Sequence, residues 1–104
     1  MAKTKAATQI LDQLTGGDED LRRMIAQETL NAQVARLIYE ARMTAGLTQV
    51  ELARLIGTKQ PVVARLEDAD YQGHSLSMLQ RIATALNQRL EIHFVPTDER
   101  HAAA

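Results

Sequence analysis

The sequence predicts an all-α domain of five helices, with a helical extension ahead of it and a single β-strand behind it. Apolar residues recur at helical spacing from Ile10 to Leu86. Start and stop residues punctuate that pattern at Thr48, Gly57 and Ser75. Strict alternation of apolar and polar residues occurs in one stretch, "RLEIHFVP".

Taken in order, "TQILDQLTGG" places Ile10, Leu11 and Leu14 on one helical face and ends on two glycines, which stop a helix. "DED" at residues 18–20 suits the positive end of a helix dipole. Behind it Leu21, Met24, Ile25, Leu30, Val34, Leu37, Ile38 and Ala41 mark one long helix, or two broken near Glu28 and Thr29, that stops at Ala45 and Gly46. Thr48 and Glu51 form the S/T-x-x-E capping box of the next helix, whose buried face is expected to be Val50, Leu52, Ala53 and Ile56. Gly57 closes that helix, Thr58 is expected to cap its successor, and Pro61 falls in the first turn, where a missing N–H costs little. Val63 and Leu66 point inward, and "DADYQGH" reads as a loop. Ser75 or Ser77 opens a last helix with the stripe Leu76, Leu79, Ile82, Ala83 and Leu86, ending near Asn87. Leu90, Ile92 and Phe94 then share one face of a strand that Pro96 stops. A lone strand leaves its backbone unpaired, so the expected partner is the same strand of a second copy, in a homodimer with a two-stranded intersubunit ribbon.

Length and composition narrow the function. The 104 residues suffice for one domain, and 45% hydrophobic with 24% charged residues suits a globular chain. Only 3% are aromatic, so the core is aliphatic and no platform exists for stacking single-stranded bases. The absence of cysteine excludes disulfides, thiolate metal sites and cysteine nucleophiles. His74, His93 and His101 lack metal-ligand spacing, so neither metal nor cofactor is expected. No apolar run approaches the roughly 20 residues of a membrane span, and a cytoplasmic location is expected. The net charge of −1 disfavours nonspecific coating of nucleic acid. Charge is uneven, however: residues 32–65 hold Arg36, Arg42, Arg54, Lys59 and Arg65 against Glu40 and Glu51, a local +3 between acidic flanks.

That basic centre coincides with "GLTQVELARLIGTKQPVVARLE", a helix, a glycine turn and a second helix. In a helix-turn-helix the second helix lies in the major groove of DNA. Lys59, Gln60 and Arg65 supply side chains that pair with guanine or adenine edges, and Pro61 offers apolar contact. Thr48 and Gln49, at a helix N-terminus, suit a backbone phosphate, with Thr58 and Arg54 as further phosphate ligands.

The same stretch, by "LTQ…ELA…IGTKQ…V.RLE", resembles the Xre/Cro phage-repressor-like helix-turn-helix family over about Val34 to Leu86. The resemblance implies that Gln49 binds phosphate and orients the reading side chains, and that Arg42 pairs with Glu67 at the end of the recognition helix. Pro61 and Ala64 occupy positions where many members carry base-contacting polar residues, which concentrates readout in Lys59, Gln60 and Arg65. Together with the amino-terminal extension and "LEIHFVP", the arrangement is similar to antitoxins of bacterial toxin–antitoxin pairs, HigA-like first and HipB-like second. Such proteins dimerise, repress their own operon and sequester a RelE/HigB-type toxin.

The expected organisation is an extension at 1–29, a DNA-binding domain at 30–87, a dimerising strand at 88–96 and a flexible tail at 97–104. The expected partners are double-stranded DNA with an inverted repeat, a second copy, and a toxin that touches Ile10, Leu11, Leu14, Leu21 and Met24. Rival functions are a protein-interaction module that covers its partner without binding DNA, and a stand-alone regulator without a toxin. An enzyme is not expected, because no Gly-rich phosphate loop, nucleophile set or paired carboxylates can be recognised.

Overall fold

The computed structural model describes residues 9, 10 and 12–97 of the 104. Among the described residues five helices form in chain order: α1, helical at residues 9, 10 and 12–15; α2, Glu19–Thr44; α3, Gln49–Ile56; α4, Gln60–Leu66; and α5, Leu76–Ala85. No strand is present among the described residues. These residues group into two compact units, one comprising those up to Ala26 together with 92–97, the other Gln27–Glu91.

In the first unit, α1 stops at Gly16 and Gly17, and Asp18 restarts the chain: its carboxylate accepts from the Leu21 N–H at 3.0 Å and its carbonyl from the Arg22 N–H at 3.0 Å. Glu19 and Asp20 place further negative charge on the first turn of α2. Arg22 pairs with Asp12 at 2.5 Å. Thr15 is buried, whereas Ile10, Leu14, Leu21 and Met24 are exposed. α2 is unbroken from Glu19 to Thr44, so Glu28 and Thr29 lie inside one helix.

The second unit packs around Ile38 of α2, Leu52, Ala53 and Ile56 of α3, Val63 and Leu66 of α4, and Ile82 of α5. Each element thus contributes its inward stripe to one aliphatic core. The capping box of α3 is in place: the Thr48 hydroxyl accepts from the Glu51 N–H at 3.1 Å, and the Glu51 carboxylate from the Thr48 N–H at 2.8 Å. At the other end Gly57 adopts φ +75°, so that the Thr58 N–H reaches back to the Ala53 carbonyl at 2.8 Å. α5 opens on Ser75, whose hydroxyl accepts from the Met78 N–H at 3.1 Å.

Several expectations are corrected. Val50 is 50% exposed, and Leu76 is exposed too. Val50 is the second residue of α3 and Leu76 the first of α5, both in the first turn of a short helix, where helical spacing alone does not say which side meets the core. Lys59, not Thr58, is the N-cap of α4, and it makes no side-chain cap hydrogen bond. Thr58 is instead used by the glycine turn behind it. Residues 88–96 have no regular structure in place of the expected strand: a strand needs a ladder partner, and none is present among the described residues.

Candidate nucleic-acid interface

Gln49 and Gln60 are the first residues of α3 and α4. The glycine turn at Gly57 brings these two helix starts together, and the Gln60 Nε2 donates to the Gln49 Oε1 at 2.8 Å. Gln49 Nε2 in turn donates to Glu67 Oε1 at 3.1 Å. Glu67, the C-cap of α4, is gripped from α2 by Arg42, with Nε to Oε2 at 2.7 Å and Nη2 to Oε1 at 3.0 Å. Arg42 Nη1 also donates to the Leu47 carbonyl at 2.8 Å, which fixes the link between α2 and α3.

The polarity of this relay follows from its buried end. A carboxylate can only accept, so Gln49 must present its NH₂ to Glu67 and its carbonyl outward. The outward carbonyl can only accept, so Gln60 must present an N–H to it. Gln60 keeps its own carbonyl and its second N–H, an acceptor beside a donor, which is the complement of the N6 and N7 edge of adenine. A side chain that would otherwise sample many rotamers is thereby held by three helices.

The Arg42 and Glu67 side chains are 8% and 5% exposed. Burial of this pair is compensated by bidentate geometry and by the further donors from Gln49 and to Leu47. The hydrogen bond to Glu67 pushes the Arg42 pKa up, against the opposing effect of burial, so the guanidinium stays charged. Tyr39 adds a ring face 5.5 Å from the guanidinium carbon.

Around the relay lie side chains of different standing. Lys59, Pro61 and Arg65 of α4 and Arg54 of α3 are exposed, and Ala64 and Thr58 are half-buried. Lys59, Arg54 and Arg65 make no side-chain hydrogen bond or ion pair among the described residues, although the Arg54 charge lies near enough to the Glu51 carboxylate to help hold its pKa down. At the start of α3 the capping box takes the Glu51 N–H, and the N–H groups of Gln49 and Val50 precede the first intrahelical bond, as at any helix N-terminus. The arrangement can bind an anionic backbone and present a fixed donor–acceptor pair beside it. Leu11 lies outside the described residues, and Leu90, Ile92 and Phe94 do not form a strand.

Sequence reasoning missed Arg81 of α5. Its Nη2 donates to the Ile56 carbonyl at 2.5 Å and lies 3.4 Å from where a Cβ on Gly57 would sit, so it ties the turn between α3 and α4 to the last helix. Arg81 and Ile56 are 25 residues apart, and no local pattern links them. Among the described residues no three of His, Cys, Asp and Glu gather as a metal site, and no helix is long and apolar enough to cross a membrane.

Comparison with known proteins agrees with this geometry. Residues 19–94 match the family described as "Helix-turn-helix domain". A protein of Archaeoglobus fulgidus described as an uncharacterized HTH-type transcriptional regulator is 37% identical over 62 residues, covering 60% of this chain and 87% of that protein. No solved structure matches the chain.

Proposed function

Because the chain belongs to the helix-turn-helix domain family, we propose that it is a sequence-specific, double-stranded DNA-binding transcriptional repressor that works as a homodimer on an inverted repeat. The observation that carries this reading is the relay Arg42–Glu67–Gln49–Gln60, which orients a base-reading amide at the start of α4. Gln60 and Arg65 read base edges, Lys59 reads or neutralises beside them, and Pro61 and Ala64 lie against the groove wall. Thr48, Gln49, Thr58 and Arg54 hold phosphates and set the register.

The test is a binding titration at fixed salt against an operator selected from random duplexes. Gln60→Ala and Arg65→Ala are each expected to cost about 1–3 kcal/mol and to relax preference at one base pair, whereas Arg54→Ala weakens all sequences alike. Unchanged base preference in both Gln60 and Arg65 variants would sink the assignment of the reading residues.

The finer role we propose is that of an antitoxin that represses its own operon and neutralises a RelE/HigB-like toxin. Its support is the resemblance of the whole arrangement and the exposure of Ile10, Leu14, Leu21 and Met24 in the first unit, an apolar set that a partner can cover. Footprinting the chain's own promoter, with and without the product of the neighbouring reading frame, separates this role from its rivals. Protection that the neighbour's product does not alter identifies a stand-alone regulator. Capture of that product without any protection identifies an interaction module.

A further inference from the structure

The far end of α4 is held by a side chain that the relay does not contain. Leu66 is the last residue of α4 and is buried, and its carbonyl lies beyond the reach of intrahelical donors, as at any helix C-terminus. His74 Nε2 stands 2.7 Å from that oxygen. A carbonyl can only accept, so Nε2 carries the hydrogen, and in the neutral imidazole Nδ1 is then the bare acceptor. Nδ1 is buried and has no hydrogen-bond partner among the described residues.

The imidazole is set in place by the loop that carries it. Tyr71, half-buried against the core, meets it edge-on, with ring centroids 4.9 Å apart and planes at 80°. Tyr71 in turn lies across Gly73. A Cβ at that glycine would fall 2.6 Å from the tyrosine Cζ, closer than side chains pack. "DADYQGH" is thus folded around one pair of rings, and the glycine leaves room for them.

We propose that His74 is a positioning residue for base reading: by holding the Leu66 carbonyl it fixes the peptide plane from which Glu67, and through it the amides of Gln49 and Gln60, are oriented. It rests on the DNA-reading role proposed above and adds a residue to it. The peptide unit between Leu66 and Glu67 is planar, so its carbonyl, its N–H and the Glu67 Cα move as one body. His74 holds the carbonyl, and the Glu67 N–H donates to the Val63 carbonyl at 3.1 Å. Arg42 fixes the Glu67 carboxylate from α2, so the side chain is secured at its tip by one group and at its root by another. Freed at the carbonyl, the plane keeps a single bond in the last turn of a seven-residue helix, where ends fray. Glu67 Oε1 then shifts against Gln49 Nε2, which it meets at 3.1 Å, and the shift passes to Gln60. Bidentate pairing with a base edge depends on geometry and tolerates little of this.

The test compares variants on an operator selected from random duplexes, at a temperature where each shows native circular dichroism. His74→Phe keeps an aromatic ring beside Tyr71 and removes the donor. It is expected to lower discrimination at the base pair read by Gln60 about fivefold or more, with affinity for unrelated duplex unchanged. His74→Gln carries an N–H as many bonds from Cβ as the histidine Nε2, and is expected to restore most of that discrimination. Gly73→Ala leaves His74 in place but displaces Tyr71, and is expected to act in the same direction as His74→Phe. Two measurements need no DNA. In the native chain the ring nitrogen resonances of His74 should report the Nε2–H tautomer, and the side-chain amides of Gln49 and Gln60 should exchange more slowly than in His74→Phe. Lost stability in His74→Phe with native discrimination and native amide exchange would overturn the proposal and leave His74 as a cap of α4 alone. Equal loss in His74→Phe and His74→Gln, or an Nδ1–H tautomer in the native chain, also overturns it. Where His74→Phe does not fold, Gly73→Ala decides, and native discrimination in it overturns the proposal. Should the native chain select no duplex, the DNA-reading role fails, and amide exchange alone decides whether His74 holds the relay.

Discussion

Removing the Arg42 guanidinium would strand the Glu67 carboxylate, whose side chain is 5% exposed, without either of its charged donors. An uncompensated buried charge is more expensive than a missing one, so Arg42→Ala is expected to destabilise the fold by about 3–5 kcal/mol. Replacing both partners, as in Arg42→Met with Glu67→Met, removes the charge as well as its counter-ion and is expected to recover much of that loss. The two effects on function then separate. The double variant lacks the acceptor that orients Gln49, and so lacks the fixed partner of Gln60. Denaturant titration is expected to show substantial recovery of stability, while the same protein discriminates poorly between operator variants. Recovered discrimination along with recovered stability would mean that the relay only supports the fold. Read from sequence, the pair could be placed through the resemblance, because "RLE" ends the recognition helix. The hydrogen bond from Gln60 to Gln49 could not, since it depends on the angle at which two helix starts meet.

At the scale of the element, α3 is closed at both ends by devices local in sequence, which is why they were legible. Thr48 and Glu51 are three residues apart, and the glycine at 57 is required by a φ of +75° that other residues adopt only with strain. Thr48→Ala is expected to cost about 1 kcal/mol, measured by thermal or denaturant unfolding. The box also carries a pH dependence of known sign. The backbone N–H of Thr48, and then its side chain, hold the Glu51 carboxyl below its ordinary value. A depressed carboxylate contributes stability that is fully present above the unfolded pKa, about 4.3 for glutamate, and is lost as pH falls through the lower folded value. The stability gap between the native chain and Glu51→Ala is therefore expected to be constant near neutrality and to close in acid. A gap that widened as the pH fell would contradict the box. Where elements depend on distant partners, local pattern failed: Val50 and Leu76 fit a helical stripe yet lie outside the core, because the stripe of an eight- or ten-residue helix is too short to fix its angle. "RLEIHFVP" alternates as a strand does, but alternation selects two faces and cannot create a hydrogen-bonding neighbour.

For the whole molecule the net charge of −1 sets the terms on which DNA can be bound. Among the described residues one copy offers Lys59, Arg54 and Arg65 as cations without an ion pair, a small number against the repulsion of the acidic flanks. A pair doubles that number without enlarging the site on either copy, and fixes the distance between two reading amides. On the proposed homodimer the half-sites should lie about one helical turn apart, roughly 34–36 Å, or at a multiple of it. Inserting about half a turn of duplex between them turns one half-site to the far face, so affinity is expected to fall to that of a single half-site. The salt dependence should change with it. Each neutralised phosphate contributes about −0.9 to the slope of log K against log salt, so roughly four contacts on the intact operator, from Lys59 and Arg54 of each copy, give a slope of about −3.6, and the half-turn insertion about half of that. A slope and an affinity that ignored the insertion would show each copy reading alone, and the charge deficit would then have to be met by contacts outside α3 and α4.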